Sequence, residues 1–360
     1  MFVKGDRRIV CDVRSILLVQ LGDVGDLVLS FPCVRALREH FPAAKIMLAV
    51  REKSGDLVEL CPWADGAILV STEKRWLWEQ ISFQLKFFAG LRRHQFDLVI
   101  DLRTGTRGAF IAFLSGARQR IGYYFPLWWR NLLFTDLYDL PYSPGGHVSR
   151  HLLDILTAYG LKTEHPIPEF VVPDSKQTAA AEILREAGVD PNGPLPVALQ
   201  PFSLWQYKEW GEQKYVQLIR HIRDCWQLPV IVTGAPGEQS RAQAIVDAVG
   251  GGVFNLAGKT TLSEYGAVLK FCRLFVGVDS AGQHLAAAVG VPTVILYGPS
   301  SPVSWAPCGP QHLVVQKAMP CVPCRQTGCG GDGKSRCLDE LAIEEVMPSI
   351  EQQLRLTTSG

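Results

Sequence analysis

The feature that most constrains the fold is a recurring unit in which a short apolar run ends at a loop and a helix-like segment follows. The run ILLVQ at 16–20 ends at LGDVGD, and an amphipathic segment extends from about Leu27 to Glu39. Similar apolar runs follow in the first half of the chain: KIMLAV (45–50), GAILVS (66–71) and DLVIDL (97–102). Because strands that alternate with helices form βαβ units, the pattern predicts a parallel sheet with helices on both faces.

The same pattern begins again in the second half of the chain. Its apolar runs are LPVALQPF (195–202), LPVIVTGAP (228–236), LFVGVDS (274–280) and TVILYGP (293–299). A chain of 360 residues has the length of two ordinary domains, and the proline-bearing segment HPIPEFVVPDS lies between the halves. We therefore predict an α/β protein with two Rossmann-like domains, residues 1–170 and 171–345, and a C-terminal helix at 346–360 that packs back on the first domain.

Composition and charge exclude several classes of protein. Lys and Arg total 36 and Asp and Glu total 35, so the net charge is +1 and any phosphate recognition must be local. A nucleic-acid partner is not expected from this balance. The N-terminal segment MFVKGDRRIV is too charged for a signal peptide, and no apolar run approaches the roughly 18 residues of a membrane span. We expect a cytoplasmic protein.

The first candidate site is the loop after the first apolar run, which reads Gly22, Asp23, Val24, Gly25 and Asp26. Two glycines at a strand-to-helix turn allow backbone amides to approach a ligand closely. The spacing differs from the dinucleotide-binding GxGxxG pattern, and two acids inside the loop would repel a pyrophosphate. The carboxylate of Asp26 is suited either to act as a general base or to cap the helix, and both interpretations remain open.

Two loops in the second half carry charged residues suited to a nucleotide. Lys208, in QPFSLWQYKEW, can hold a diphosphate with Ser203 as a hydroxyl donor, or it is a solvated lysine at a helix start. Glu238 follows GAPG and can accept hydrogen bonds from two ribose hydroxyls, or it is an ordinary charge in the first turn of a helix.

A third loop, VDSAGQH, suits a phosphate. Ser280, Ala281 and Gly282 offer backbone amides at the start of an alanine-rich helix without adding bulk. Asp279 can cap that helix or bind a sugar hydroxyl. His284, one turn into the helix, can reach the same anion or be a structural histidine.

Taken together and in this order, the motifs resemble glycosyltransferase family 9, the heptosyltransferases of lipopolysaccharide core assembly. The resemblance runs from about residue 16 to residue 338. Its residues are ILLVQLGDVGDLVLSFPCVRALREHFP, QPFSLWQYKEW, VTGAPGE and VDSAGQHLAAAVGVPTVILYGPSSPVSWAP. The last stretch is the most specific, because it is close to the family pattern D-[TS]-G-x-x-H-L-A-A-A-x-G-x-P-T.

The resemblance implies a GT-B fold, in which two Rossmann-like α/β/α domains face a central cleft. It implies a metal-independent, inverting transfer of heptose from ADP-heptose to the inner core of lipopolysaccharide, with Asp26 as catalytic base and Lys208 stabilising the diphosphate leaving group. The loop residues Gly22, Asp23 and Gly25 would lie near the substrates. The implied donor-binding residues are Ser203, Glu238, Thr261, Asp279, Ser280, Ala281, Gly282 and His284.

The first loop departs from the family pattern. The family commonly has a basic residue and serines before its Gly-Asp, where this chain has Gln20, Leu21, Gly22 and Asp23. Asp23 is thus a second candidate base, although the register favours Asp26. A different nucleotide-sugar donor or a protein acceptor remains an alternative. A noncatalytic nucleotide-sugar-binding protein is a further alternative, against which the presence of Asp26 and Lys208 argues.

Two aromatic segments of the first half, 76–88 and 121–134, point to the acceptor. They would contact a lipid-anchored, phosphorylated saccharide or the inner face of the inner membrane, or they are ordinary core segments. The basic residues near them are Lys74, Arg75, Lys86, Arg92, Arg93, Arg118, Arg120 and Arg130.

Four of the ten cysteines fall within one loop in the pattern C-x2-C-x4-C-x7-C: Cys321, Cys324, Cys329 and Cys337. Four thiolates suit a structural, tetrahedral zinc or iron ion, with free thiols or a disulfide as alternatives. An iron-bound version of this segment occurs among protein-modifying relatives of the family. The six scattered cysteines are expected to be core residues: Cys11, Cys33, Cys61, Cys225, Cys272 and Cys308.

Overall fold

The computed structural model describes residues 2–5, 8–9, 12–73, 76–140, 145–331 and 333–357. The chain divides into two compact units, Met1–Pro168 and Glu169–Gly360. Within the described residues, no helix combines the length and the apolar character that crossing a membrane requires. Cys11, Lys74 and Arg75 lie outside the described residues.

The described part of the first unit is built on a seven-stranded sheet flanked by helices. Its strands are β1 (Phe2–Lys4), β2 (Ser15–Gln20), β3 (Lys45–Arg51), β4 (Gly66–Val70), β5 (Leu98–Asp101), β6 (Gln119–Tyr123) and β7 (Asp136–Tyr138). Its helices are α1 (Val24–Leu29), α2 (Phe31–His40), α3 (Leu77–Arg92), α4 (Thr106–Leu114), α5 (Trp128–Leu132) and α6 (Val148–Thr157), with a 3-10 helix over Glu52–Leu60.

The second unit repeats this plan with a six-stranded sheet. Its strands are β8 (Val197–Gln200), β9 (Val230–Val232), β10 (Val253–Asn255), β11 (Leu274–Val278), β12 (Thr293–Tyr297) and β13 (His312–Gln316). Its helices are α7 (Asp174–Glu186), α8 (Glu212–Trp226), α9 (Gln239–Val249), α10 (Leu262–Leu269), α11 (Ala281–Ala288), α12 (Pro302–Trp305), α13 (Arg336–Asp339) and α14 (Ile343–Leu356).

Both sheets have the strand order of a Rossmann-like domain. The parallel strands run β4-β3-β2-β5-β6-β7 in the first unit and β10-β9-β8-β11-β12-β13 in the second, and β1 pairs antiparallel to β7. When the six parallel strands of each unit are counted in chain order, without β1, both sheets have the order third, second, first, fourth, fifth, sixth. The order reverses between β2 and β5 and between β8 and β11, and ligands of such sheets bind at that switch point. The predicted α/β fold of two Rossmann-like domains is confirmed.

The amphipathic segment expected from Leu27 to Glu39 is two helices instead of one. The chain breaks at Ser30, where the hydroxyl donates to the carbonyl of Leu27 at 2.7 Å, and α2 then begins with Pro32 at its second position. Proline has no amide proton and is favoured in the first turn of a helix, which agrees with the position of Pro32 at the start of α2.

The C-terminal helix α14 begins at Ile343 and packs on strands β11, β12 and β13 and on helix α8. Val346, Ile350 and Leu354 are fully buried in the core of the second unit. A contact of this helix with the first domain stays a prediction.

The scattered cysteines divide into two groups. Cys33, Cys61 and Cys272 are buried, as expected for packing residues. Cys225 and Cys308 are exposed, so the prediction of a core position was wrong for these two. Cys225 lies at the end of α8, on its solvent side, and Cys308 lies in the loop after α12.

Candidate active site

An ion pair joins the two loops at the switch point of the first unit. Asp26, in the first turn of α1 after β2, accepts a hydrogen bond from Arg103, which follows β5, with 2.8 Å between Oδ2 and Nη1. The same oxygen accepts the backbone amide of Asp23 at 3.1 Å. Asp26 is thus the N3 residue of a capping box whose N-cap is Asp23, and this contact leaves its role as a base open. The side chain of Asp26 keeps 19% of its exposure, so the carboxylate is still reachable from solvent.

Gly22 makes this close approach possible. A Cβ atom at this position would lie 2.7 Å from Nη1 of Arg103 and would also collide with the carboxylate of Asp26. A side chain here would push the acid and the cation apart, so the glycine is required by the ion pair.

The neighbouring acid, Asp23, is held differently. Its carboxylate pairs with Arg51 at 2.8 Å and lies 3.6 Å from the ammonium of Lys53. Arg51 also donates to the carbonyl of Leu21 at 2.7 Å. Asp23 therefore links the loop to the end of β3. Its carboxylate is already paired with two cations, Arg51 and Lys53.

A buried ion pair supports Arg103 from below. Arg130 and Asp101 are almost fully buried, with 3.4 Å between Nη2 and Oδ2. Arg130 also donates to the carbonyls of Tyr123 and Arg103 at 2.9 Å each, and Asp101 accepts the backbone amide of Arg103 at 3.1 Å. Burial raises the pKa of Asp101 to about 7, against Arg130 and that backbone amide, which lower it. The pair fixes the backbone of the residue that contacts Asp26.

A cavity of about 830 Å³ opens beside Arg103 and Asp101 within the first unit. Its walls come from the ends of β2, β3, β4 and β5 and from helices α3 and α4, and three guanidinium groups face it: those of Arg51, Arg103 and Arg107. Arg107 is fixed by Gln84 at 2.8 Å. The volume is in the range of small-molecule sites, and the lining holds three arginines against two acids, Glu73 and Asp101.

The switch point of the second unit also carries an ion pair, but here the cation follows the first parallel strand and the acid follows the fourth. Lys208 follows β8 and Asp279 follows β11, with 2.6 Å between Nζ and Oδ2. The other oxygen of Asp279 accepts the amide of Gln283 at 2.9 Å, and Gln283 in turn accepts the hydroxyl of Tyr297 at 2.9 Å. Asp279 is buried and held from two sides, whereas Lys208 is partly exposed.

The start of α11 next to Asp279 has the properties of an anion site. Ser280 is the N-cap residue, and within the described part of the chain its buried hydroxyl has no hydrogen-bond partner. Gly282 lies against the amide oxygen of Gln200, which a Cβ atom would overlap. Gln200 is itself held by the hydroxyl of Tyr265 at 2.9 Å. An unsatisfied buried hydroxyl beside free helix amides calls for a polar ligand such as a phosphate.

Among the remaining predicted donor residues, Glu238, Ser203 and Thr261 each have a local hydrogen-bond partner. Glu238 accepts the amide of Ala235 at 2.6 Å, and burial raises the pKa of its carboxyl. The hydroxyl of Ser203 accepts the amide of Trp205 at 3.3 Å. Thr261 is the N-cap of α10. His284 is buried in α11, and Ala281 opens that helix.

Sequence patterns did not point to the pair of Glu209 and Arg241. Both oxygens of Glu209 accept from the Arg241 guanidinium, at 2.6 and 3.2 Å, and Arg241 lies 4.4 Å above the ring of Phe202. This pair ties the loop that carries Ser203 and Lys208 to α9. The two residues are 32 positions apart, so no local motif joins them.

The four clustered cysteines line a cavity of about 110 Å³ as free thiols. Burial, together with the neighbouring Cys329 and Cys324, raises the pKa of Cys337 to about 11. Among the residues that the structure describes, no group of three or more His, Cys, Asp or Glu side chains is arranged to hold a metal ion. The predicted zinc or iron site stays a prediction.

Comparison with known proteins decides the family. The sequence profile of glycosyltransferase family 9 (heptosyltransferase) matches residues 84–334, which is more than half of the chain. This chain belongs to glycosyltransferase family 9. The transferase is 28% identical over 294 residues to the lipopolysaccharide heptosyltransferase 3 of Escherichia coli, covering 79% of this chain and 83% of that relative.

Two solved structures show the same fold as this family 9 transferase. The ADP-heptose lps heptosyltransferase II of E. coli superposes with a TM-score of 0.79 at 20% identity, over 96% of this chain and 100% of the other. The family 9 glycosyl transferase of Veillonella parvula superposes with a TM-score of 0.84 at 20% identity, over 96% and 99%. The GT-B fold predicted from the sequence is confirmed.

In this glycosyltransferase, the structure brings some predicted residues together and adds others. Lys208, Asp279 and Ser280 meet at the switch point of the second unit, as the strand-and-loop pattern implied. Asp26 lies at the switch point of the first. The residues that sequence reasoning missed are their partners: Arg103, Asp101, Gln283, Gln200 and Tyr297.

Proposed function

We propose that this glycosyltransferase moves heptose from ADP-heptose to the inner core of lipopolysaccharide in the cytoplasm, with inversion at the anomeric carbon. The second unit would bind the donor and the first unit the acceptor. The observation that carries the proposal is the Lys208–Asp279 pair beside the unsatisfied hydroxyl of Ser280, since this combination suits a diphosphate joined to a sugar. The E. coli relatives are named for heptose transfer to lipopolysaccharide, which supports the same substrates.

In the proposed reaction, Asp26 removes the proton from an acceptor hydroxyl as its oxygen attacks the anomeric carbon. The bond from that carbon to the diphosphate breaks, and the diphosphate leaves with the electron pair. Lys208 and the amides at the start of α11 stabilise the charge that develops on it. Asp279, once Lys208 turns to the phosphate, keeps its contact with Gln283 and accepts a hydroxyl of the sugar.

Arg103 supports the role of Asp26 as base. It holds one oxygen of the carboxylate, with the amide of Asp23, so the other oxygen is oriented and available to the acceptor hydroxyl. Asp23 is a weaker candidate, because Arg51 and Lys53 both face its carboxylate.

In this proposal, catalysis needs no metal, because Lys208 and backbone amides provide the positive charge at the leaving group. A chelator should leave the initial rate unchanged, while a rate that falls and returns with added Mg²⁺ would contradict this part. Elemental analysis of the purified protein, made before any chelator is added, tests the cysteine cavity separately: stoichiometric zinc or iron would support a structural ion there, and its absence would contradict one.

A donor screen tests the proposed substrate. Purified protein and a heptose-deficient lipopolysaccharide acceptor are incubated with ADP-heptose and with several UDP- and GDP-sugars, and transfer is followed by mass spectrometry of the product. We expect transfer from ADP-heptose and inversion of the anomeric centre by NMR. Transfer from a different nucleotide sugar would overturn the donor, and release of no nucleotide from any donor would favour a noncatalytic binding protein.

A further inference from the structure

Three neighbouring helices of the first unit, α3, α4 and α5, expose large apolar side chains. Helix α3 packs against α4, and the rings of Phe110 in α4 and Trp129 in α5 are 5.9 Å apart, so the three helices are contiguous. We call this surface the aromatic face. Its exposed members are Trp76, Leu77, Trp78, Ile81, Leu85, Phe110, Phe113, Trp128 and Leu132.

Helix α3 is the least buried part of this face. All sixteen of its residues are described, and only Leu91 is buried. Trp76 and Trp78, at the start of the helix, are exposed by 79% and 74%. Large apolar patches on a soluble surface mark contact sites, because leaving them in water costs free energy.

The two sides of α3 differ in chemistry. Leu77, Ile81 and Leu85 are spaced four residues apart and lie exposed on one side. Gln80 and Gln84 line the cavity of the first unit on another. Helix α3 therefore lies between the cavity of the first unit and the exposed side chains of Leu77, Ile81 and Leu85.

The charge around the aromatic face indicates which partner covers it. Among the charged residues between 76 and 133 that are exposed and do not line the cavity, four are Lys or Arg and one, Glu79, is acidic, although the whole chain has a net charge of +1. Lys86, Arg92, Arg93 and Arg118 are exposed in this region. In a symmetric dimer the same face would meet itself, and its like charges would repel. An anionic lipid surface matches both the apolar groups and the cations.

We propose that the aromatic face docks the enzyme on an anionic lipid bilayer, with the indoles of Trp76, Trp78 and Trp128 in the headgroup region. This rests on the proposed function in one respect: the saccharide of a lipid-anchored acceptor would enter the cavity behind α3 while its lipid stays in the bilayer. The cavity and the face share helices α3 and α4, so the two ends of such an acceptor fit side by side.

Vesicle sedimentation tests the docking without any substrate. The full chain is mixed with vesicles of phosphatidylethanolamine and phosphatidylglycerol or of phosphatidylcholine alone. We expect binding to the anionic vesicles that weakens with salt. The triple variant Trp76→Ser, Trp78→Ser, Leu85→Ser should partition at least about tenfold more weakly, since each apolar side chain adds to the transfer free energy. The matched control Val171→Ser, Leu195→Ser removes exposed apolar groups from the second unit and should bind as the wild type does.

Several outcomes would overturn the proposal. Equal partitioning of the triple variant and the wild type would do so, as would no binding of the wild type to anionic vesicles. A wild-type dimer in light scattering that the triple variant converts to a monomer, without vesicle binding, would assign the face to a second copy instead. Because the substituted residues are exposed, circular dichroism and thermal unfolding should match the wild type and show that the variant is folded.

Kinetics separate this inference from the proposed function. On a delipidated acceptor saccharide the triple variant should keep the kcat/KM of the wild type, while on acceptor embedded in anionic vesicles it should lose about tenfold, in step with binding. No transfer by the wild type to either acceptor would contradict the proposed function alone, because vesicle binding is measured independently. Equal losses on both acceptors would contradict the docking role.

Discussion

The two units share a strand order and place an ion pair at the same point of it, but the charges are exchanged. In the first unit the acid, Asp26, follows the first strand of the Rossmann-like order and the cation, Arg103, follows the fourth. In the second unit the cation, Lys208, follows the first strand and the acid, Asp279, follows the fourth. The topology thus determines where two loops meet, and the side chains on them determine which chemistry takes place there.

The two pairs also differ in what holds them. Arg103 rests on a buried charged pair, Asp101 and Arg130, whereas Asp279 rests on a neutral chain of Gln283 and Tyr297. A buried charge left without its partner is costly, while the loss of one neutral hydrogen bond is not. We therefore expect the first pair to be more sensitive to changes beneath it than the second.

The largest expected effect is on the rate, from the acid of the first pair. Asp26→Asn should lower kcat by about 10²–10⁴-fold, since the amide cannot take the proton of the acceptor hydroxyl. The affinity for ADP, measured by calorimetry, should hardly change. Asp23→Asn is the matched control, because it alters an acid in the same loop, and it should keep kcat within a few-fold. A reversal of these two results would make Asp23 the base.

The next effect is on the free energy of unfolding. It compares the buried charged pair beneath Arg103 with the neutral hydrogen bonds beneath Asp279. Arg130→Met should lower the free energy of unfolding by about 3–5 kcal/mol, because Asp101 loses its buried partner. Tyr297→Phe, which removes one neutral hydrogen bond of the second unit, should cost about 1 kcal/mol. Urea unfolding followed by circular dichroism measures both. As a surface control, Glu340→Gln removes the exposed partner of Arg336 and should change stability by less than about 0.5 kcal/mol. Equal losses of unfolding free energy for Arg130→Met and Tyr297→Phe would contradict the expected difference between charged and neutral support.

The cation of the second pair should act on the leaving group. Lys208→Gln should reduce kcat/KM for the donor by about 10²–10³-fold, because the developing charge of the diphosphate loses its cation. Lys270→Gln, at an exposed lysine of the same unit, is the matched control and should be neutral. If Lys208→Gln altered only the KM of the acceptor, the assignment of the donor to this pair would be contradicted.

The smallest effect is on pH dependence, where the units should respond in opposite directions. Burial raises the pKa of Asp101 to about 7 from 3.8, so its contribution to stability is present in acid and is lost as the pH rises towards 7. Burial lowers the pKa of His312 in β13 to about 4 from 6.5, so its contribution is present above pH 6.5 and is lost as the pH falls towards 4.

Difference curves of unfolding free energy against pH measure these two contributions. The stability advantage of the wild type over His312→Gln should shrink by about 1 kcal/mol between pH 7 and pH 4, a value reduced for the partial exposure of the ring. The curve for Asp101→Asn should slope the other way. Parallel curves for the two variants would show that neither group titrates as its environment implies.

Sequence reasoning located many elements of the site because they follow local rules. Asp279 and Ser280 directly follow an apolar run, and Asp26 and Lys208 lie within eight residues of the end of one. The carboxyl ends of parallel strands share one edge of a sheet. Pro32 also favours a helix start near residue 31, since proline is over-represented in the first turn of a helix. The partners escaped notice because they are distant in sequence: Arg103 is 77 positions from Asp26.

The sequence by itself determined the α/β class, the two halves, the family and the loops that carry the reactive groups. Each of these depends on periodicity or on short motifs, which are local properties of the chain. Only the tertiary structure decided which loops meet at each switch point and that Arg103 holds Asp26. It also decided that Trp76, Trp78 and Leu85 are exposed while Phe87 and Phe88 pack against the core. Those outcomes depend on strand order and on packing between side chains that are far apart in the sequence. Local sequence patterns do not determine such contacts.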